Sequence, residues 1–145
     1  MKINVIEDKN IQETEITIKC YKKSEDIDKI VQFLEMNNQI LICKKGKDIF
    51  QILIDEIIYI ESVDERTFVY LQDSVYENNC KIYELEERLK ECHFIRISKS
   101  CILHLKFLKS VRAMLNGKYE ATLLNDEKLI ISRNYMAAFR KEFGI

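Results

Sequence analysis

Residues 55–71 read Asp55-Glu56-Ile57-Ile58-Tyr59-Ile60-Glu61-Ser62-Val63-Asp64-Glu65-Arg66-Thr67-Phe68-Val69-Tyr70-Leu71, and this stretch decides the fold. Two runs rich in β-branched and aromatic residues, Ile57–Val63 and Thr67–Leu71, flank the polar triplet Asp64-Glu65-Arg66, which is the pattern of a β-hairpin. The pattern recurs on either side. Upstream, Gln39–Lys44 and Asp48–Leu53 flank the glycine-containing turn Lys45-Gly46-Lys47. Downstream, a short strand at Val75–Asn78 follows the turn at Asp73-Ser74. Lys81–Lys90 then places Ile82, Leu85 and Leu89 on one face of a short helix and charges on the other.

Beyond that helix lie Phe94–Ile97, a polar group Ser98-Lys99-Ser100, and Cys101–Leu105. Asn116-Gly117 joins Leu108–Leu115 to Lys118–Leu124 as another hairpin. A turn at Asn125-Asp126 leads to Lys128–Ser132, and Arg133–Phe143 closes the chain as a helix with Met136, Phe139 and Phe143 in a stripe. The expected fold class is mainly β with short helices, mostly antiparallel.

The first three dozen residues read differently. Lys2–Ile6 and Glu15–Cys20 carry β-branched residues at alternate positions (Ile3 and Val5; Ile16 and Ile18), the period of a half-buried strand. Ser24 offers an N-cap, and Ile27, Ile30, Val31 and Leu34 follow at helical spacing, so a helix is expected to about Met36, ending near Asn37-Asn38. Two strands and one helix are too little for an independent core. Residues 1–38 are therefore expected to form a β-β-α extension that packs on the rest of the chain or on a partner, and residues 39–145 the main domain.

Composition narrows the function. The chain has 145 residues, 47% hydrophobic and 32% charged, the balance of a soluble globular protein rather than a disordered or fibrous one. No apolar run approaches the ~20 residues of a membrane span, and no apolar stretch follows Lys2 as in a secretory signal, so a cytoplasmic location is expected. Five cysteines (Cys20, Cys43, Cys80, Cys92, Cys101) with no C-x-x-C pair argue for reduced thiols. Three glycines and no proline exclude the glycine-rich loops that cradle nucleotide phosphates. His93 and His104 are the only histidines. Cys101-x-x-His104 on a strand would direct its two side chains to opposite faces, and four metal ligands at recognisable spacing are lacking. Neither catalytic activity, nor a metal, nor a cofactor is expected.

Net charge is −1, yet it is unevenly spread. Residues 1–91 hold 13 basic against 20 acidic residues, and residues 92–145 hold 10 basic against 4 acidic. Such polarity either presents a basic face to an acidic partner or interleaves in space and leaves no patch. Three polar segments at strand ends supply donors for phosphate oxygens or base edges: Asp64-Glu65-Arg66-Thr67, Arg96-Ile97-Ser98-Lys99-Ser100 and Ser132-Arg133-Asn134-Tyr135. The structural alternatives are equally concrete, with Ser132 an N-cap, Arg96 a salt-bridge partner and Lys99 a solvated lysine.

In order along the chain, Asp55–Ser62 resembles the opening strand of LytTR DNA-binding domains, output modules of many bacterial regulators. Tyr83-Glu84-Leu85-Glu86-Glu87-Arg88-Leu89 resembles their central helix, and Phe94-Ile95-Arg96-Ile97-Ser98-Lys99-Ser100 their F-x-R-x-H-[KRN]-S segment. Asn116-Gly117-Lys118-Tyr119 is similar to the family hairpin, and Ile131-Ser132-Arg133-Asn134-Tyr135 to its closing S-R-x-Y. The resemblance spans roughly Gln39 to Gly144.

It implies an elongated fold of stacked antiparallel sheets whose loops enter successive grooves of double-stranded DNA. By the same resemblance, base contacts fall at Arg66 or Thr67, at Lys99 and at Arg133. Phosphate contacts fall at Ser98, Ser100, Ser132 and Asn134, with Lys106 and Lys109 as further candidates. Ser98 stands where the family often has histidine, and His104 where it often has asparagine. The implied function is a sequence-specific transcription regulator acting as a homodimer, at least on DNA, on two half-sites. About 38 residues precede the resembling region, too few for a phosphorylatable receiver domain of typical size. Similar stand-alone members are often paired with a small membrane protein that restrains them. The rival is a protein-binding module that has lost DNA binding, favoured by the acidic N-terminal portion.

Overall fold

Alternating β-branched and aromatic runs produce ten strands among the described residues, which in this computed structural model are 1–12, 14–36 and 39–145. Helix α1 (Glu25–Met36) comes first. Strands β1 (Ile40–Lys45), β2 (Asp48–Leu53), β3 (Tyr59–Val63), β4 (Arg66–Tyr70) and β5 (Val75–Asn78) follow, then helix α2 (Ile82–Leu89). Strands β6 (Phe94–Ser98), β7 (Cys101–His104), β8 (Leu108–Ala113), β9 (Tyr119–Leu123) and β10 (Lys128–Ile131) lead to helix α3 (Met136–Phe143). They build a seven-stranded sheet in the order β2-β1-β5-β4-β3-β7-β6 and a three-stranded sheet in the order β10-β9-β8. Every pairing is antiparallel.

Two cores cover the two faces of the larger sheet. On one, Leu85 and Leu89 of α2 pack with Leu41, Ile60, Val69 and Ile102. On the other, Ala121, Leu123 and Ile131 of the smaller sheet and Phe139 of α3 pack with Tyr59, Ile95, Ile97 and Leu103. Neighbouring residues of one strand thus enter opposite cores, which is why β7 reads Cys-Ile-Leu-His without polar alternation and is buried throughout. Each fully buried Leu or Ile contributes ~1.5–3 kcal/mol relative to exposure.

Three expectations need correction. The strands expected at Lys2–Ile6 and Glu15–Cys20 do not form among the described residues. Alternation makes a strand only where a partner edge and a surface to cover exist, and Ile3, Val5 and Ile16 remain 76%, 88% and 62% exposed. The closing helix begins at Met136 rather than Arg133, because Arg133–Tyr135 forms a 3-10 turn. The hairpin loop between β3 and β4 holds two residues, Asp64 and Glu65, with Arg66 already paired to Val63. The helix end expected at Asn37-Asn38, and the domain boundary near Asn38, lie outside the described residues.

Candidate nucleic-acid interface

Hairpin geometry places the three polar segments at one end of the larger sheet. Asp64 and Glu65 both have left-handed backbone (φ 50° and 63°), as a two-residue turn matched to the strand twist requires. Lys99 and Ser100 form the turn between β6 and β7. Because β3 and β7 are antiparallel neighbours, the end of β3 meets the start of β7, and the Ser62 N–H donates to the Ser100 carbonyl at 2.7 Å. On the other side, the Ser132 N–H donates to the Ile97 carbonyl at 2.9 Å, fixing the Arg133–Tyr135 turn against the end of β6. Backbone hydrogen bonds therefore tie these segments into one surface.

Lys99, Arg133 and Asn134 are exposed on it. Ser132 makes no side-chain capping bond, so its hydroxyl remains free of the N-cap role. The Ser100 N–H donates to Ser98 Oγ at 3.2 Å, and the two hydroxyls lie 3.4 Å apart. That arrangement shapes the turn while leaving hydroxyl capacity for an outside acceptor.

The segment around residue 66 divides sharply. Arg66 is exposed, whereas Thr67 is only 3% exposed. Thr67 is paired with Ser62 and Asn78 inside the sheet, so it is not displayed to a ligand in this fold. Arg66 donates from Nε and Nη2 to the two carboxylate oxygens of Glu77 at 3.0 and 2.8 Å, and its guanidinium lies over the Phe68 ring, 5.2 Å from the centroid. This hydrogen-bonded pairing holds the Glu77 carboxyl below its ordinary range and the Arg66 guanidinium above its own.

Ion pairing separates the remaining cations. Lys106 sits 2.6 Å from Asp55 and Lys109 3.3 Å from Asp126, while Arg112 and Lys128 both approach Glu120. Among the described residues, Lys99, Lys118 and Arg133 have no carboxylate within 4.0 Å. An unpaired cation can meet a phosphate or a base without first giving up a partner. Arg140 and Lys141 of α3 are likewise without a carboxylate within 4.0 Å among the described residues, so the basic excess of residues 92–145 is partly neutralised and stays open both here and on α3.

Two contributors escaped the reading of the sequence. Gly117, in the turn between β8 and β9, lies so close to Arg133 that a Cβ there would stand 2.9 Å from the Arg133 Cδ. The turn also has φ +78° at this residue, so glycine serves both the backbone and the arginine stem. Lys118, beside it, lines a shallow hollow together with Ser132, Arg133 and Asn134. The Asn116-Gly117 signal marked the turn, but nothing in it foretold contact with a residue sixteen positions away.

His104, by contrast, faces inward. It is 4% exposed, hydrogen-bonds the Ile57 carbonyl through Nδ1 at 2.7 Å, and stacks on Phe94 with centroids 4.2 Å apart. Burial lowers its pKa to about 4. Cys101 is also buried, which pushes its thiol up to about 12.

A family model described as the LytTr DNA-binding domain matches residues 47–144. The chain belongs to the LytTR family. The LytTr DNA-binding domain of a methyl-accepting/DNA response regulator from Bacillus cereus superimposes with a TM-score of 0.70 at 21% identity, covering 74% of this chain and 99% of that one. Among LytTR relatives, the sensory transduction protein LytT of Enterococcus faecalis is 26% identical over 70% of this chain and 42% of its own length. LytR of Staphylococcus haemolyticus is 26% identical over 85% of this chain and 44% of its own. The chain thus spans less than half the length of these two relatives. An uncharacterized HTH-type transcriptional regulator of Staphylococcus aureus is 24% identical over 100% of this chain and 99% of its own length. Among the described residues, no helix is long and apolar enough to cross a membrane.

Proposed function

We propose that this LytTR protein is a sequence-specific transcription regulator that reads duplex DNA with the turns at one end of its larger sheet. Lys99 and Arg133 address base edges, and Arg66 is the third reader once it exchanges Glu77 for a base or phosphate. Thr67, buried in the sheet, has no part in the contact. Ser98, Ser100, Ser132 and Asn134 hold phosphates, and Lys118 joins them. Lys106 and Lys109 contribute mainly to the general field, because each is already paired.

The observation that carries this reading is the pair of backbone bonds, Ser62 to Ser100 and Ser132 to Ile97. They join segments far apart in sequence into a surface whose cations Lys99 and Arg133 are unpaired. Two protomers bind two half-sites, and the extension of residues 1–38 serves dimerisation or holds a regulator, in keeping with its exposed Ile3, Val5 and Ile6. A membrane protein is one such regulator by analogy with related systems. The protein acts in the cytoplasm, where its DNA lies.

Selection from a random duplex library, followed by titration of the winner at several salt concentrations, tests the proposal. A repeated motif should emerge, with affinity falling steeply as salt rises. Absence of enrichment together with absence of salt-dependent retention on any duplex would instead identify a protein-binding module.

A further inference from the structure

Arg96 lies on β6 between two core residues, Ile95 and Ile97, and its side chain is 14% exposed. All of its guanidinium nitrogens are committed within the chain. Nη1 donates to Glu86 Oε2 of α2 at 2.5 Å, Nε donates to the Ser98 carbonyl at 2.6 Å, and Nη2 donates to the Lys99 carbonyl. The same planar group faces the ring of Tyr135, 6.0 Å from its centroid. One side chain therefore touches α2, the end of β6, the turn that carries Lys99, and the 3-10 turn that begins with Arg133.

The chemistry requires arginine. A guanidinium presents its donors in a rigid fork, which can hold adjacent carbonyls at fixed spacing while a third edge meets a carboxylate. An ammonium is a point charge that would satisfy Glu86 and leave the turn carbonyls loosely held. Charge-assisted bonds are shorter and stronger than neutral ones, and partial burial shields these from competing water. Pinning the Lys99 carbonyl fixes the backbone from which the Lys99 side chain projects, and the Tyr135 contact fixes the turn from which Arg133 projects.

We infer that Arg96 is a positioning residue that clamps the Lys99 turn and the Arg133–Tyr135 turn into one frame, so that Lys99 and Arg133 read DNA as a coupled pair. The inference rests on the DNA-reading function proposed above. It assigns Arg96 no contact with DNA, although the residue stands within one of the polar segments.

The test titrates wild type, Arg96→Lys, Arg96→Ala and Lys99→Ala on the selected duplex and on a scrambled one, across salt concentrations. Circular dichroism reports whether each variant is folded. Both Arg96 variants should lower the ratio of selected to scrambled affinity about tenfold, with the salt slope unchanged because no phosphate contact is lost. Arg96→Lys combined with Lys99→Ala should lose less than the sum of the separate losses, as coupled residues do. Wild-type selectivity in folded Arg96→Lys overturns the clamp, as does a salt slope shallower by about one in folded Arg96→Ala, which removes the charge and would reveal Arg96 as a phosphate contact. Should Arg96→Ala not fold, Arg96→Lys decides. If wild type prefers no duplex, the DNA reading fails by itself, and amide hydrogen exchange in the free protein still decides the clamp. Exchange at Lys99 and Ser100 faster in Arg96→Lys supports it; unchanged exchange overturns it.

Discussion

The N-terminal extension and the end of the larger sheet carry the same kind of sequence and meet opposite fates. Ile16 and Ile18 recur at every second position as Thr67 and Val69 do, yet Ile16 is 62% exposed and Val69 is fully buried. The two-residue period alone does not separate them. Val69 lies between β3 and β5 and shares a core with Leu85 of α2, whereas among the described residues no strand adjoins Ile16. Periodicity states that a segment is able to become a strand, and a neighbouring edge together with an apolar layer decides that it does.

The sharpest way to break this contrast is to damage each region equally. Leu103→Ala, in the fully buried middle of β7, should cost about 2–5 kcal/mol of unfolding free energy. Ile3→Ala, with Ile3 76% exposed, should stay within about 0.5 kcal/mol. Urea unfolding at low protein concentration measures both, and comparable losses would show that the extension belongs to the core.

Acid should act on the same side of the divide. His104 has its pKa lowered to about 4 from an ordinary 6.5 by burial. Between those values the unfolded chain binds a proton that the folded chain does not. Stability is therefore full above about pH 6.5 and declines as pH falls through the window toward 4. The loss across the whole window is roughly 3 kcal/mol. Urea midpoints at pH 7.5 and 5 should differ accordingly, and His104→Asn should flatten the dependence.

Smaller effects probe the turns. Lys106→Ala and Lys109→Ala remove cations already paired with Asp55 and Asp126. Each should weaken binding to any duplex by no more than about 1 kcal/mol. Glu65→Gly relieves a left-handed φ of 63° at a non-glycine residue and should raise stability by about 0.5–1 kcal/mol in thermal unfolding.

Much of this architecture is legible in the sequence, for identifiable reasons. The helical stripe Ile82, Leu85, Leu89 becomes α2, and Asn116-Gly117 becomes a turn, because both signals are local. The exposure of Lys99 and Arg133 follows from their places at strand ends. Thr67 is misplaced by sequence reasoning because β4 offers two faces of equal strand character, Thr67 with Val69 and Arg66 with Phe68. Burial chooses the first for the core, a choice made by partners distant in sequence. The two-residue turn at Asp64-Glu65 is hidden by its lack of glycine or asparagine, the usual marks of left-handed backbone. Arg96 gives only half its role away: a salt bridge is expected in kind, while its grip on the Ser98 and Lys99 carbonyls depends on how β6 bulges between Arg96 and Ser98.

The most direct test of the account is the affinity of Arg133→Ala for the selected duplex and for a scrambled one at matched salt. Base reading predicts a loss of about 1–3 kcal/mol on the selected duplex, with scrambled affinity nearly unchanged. An equal loss on both would contradict it, making Arg133 a phosphate contact and leaving the sheet end without its principal reader.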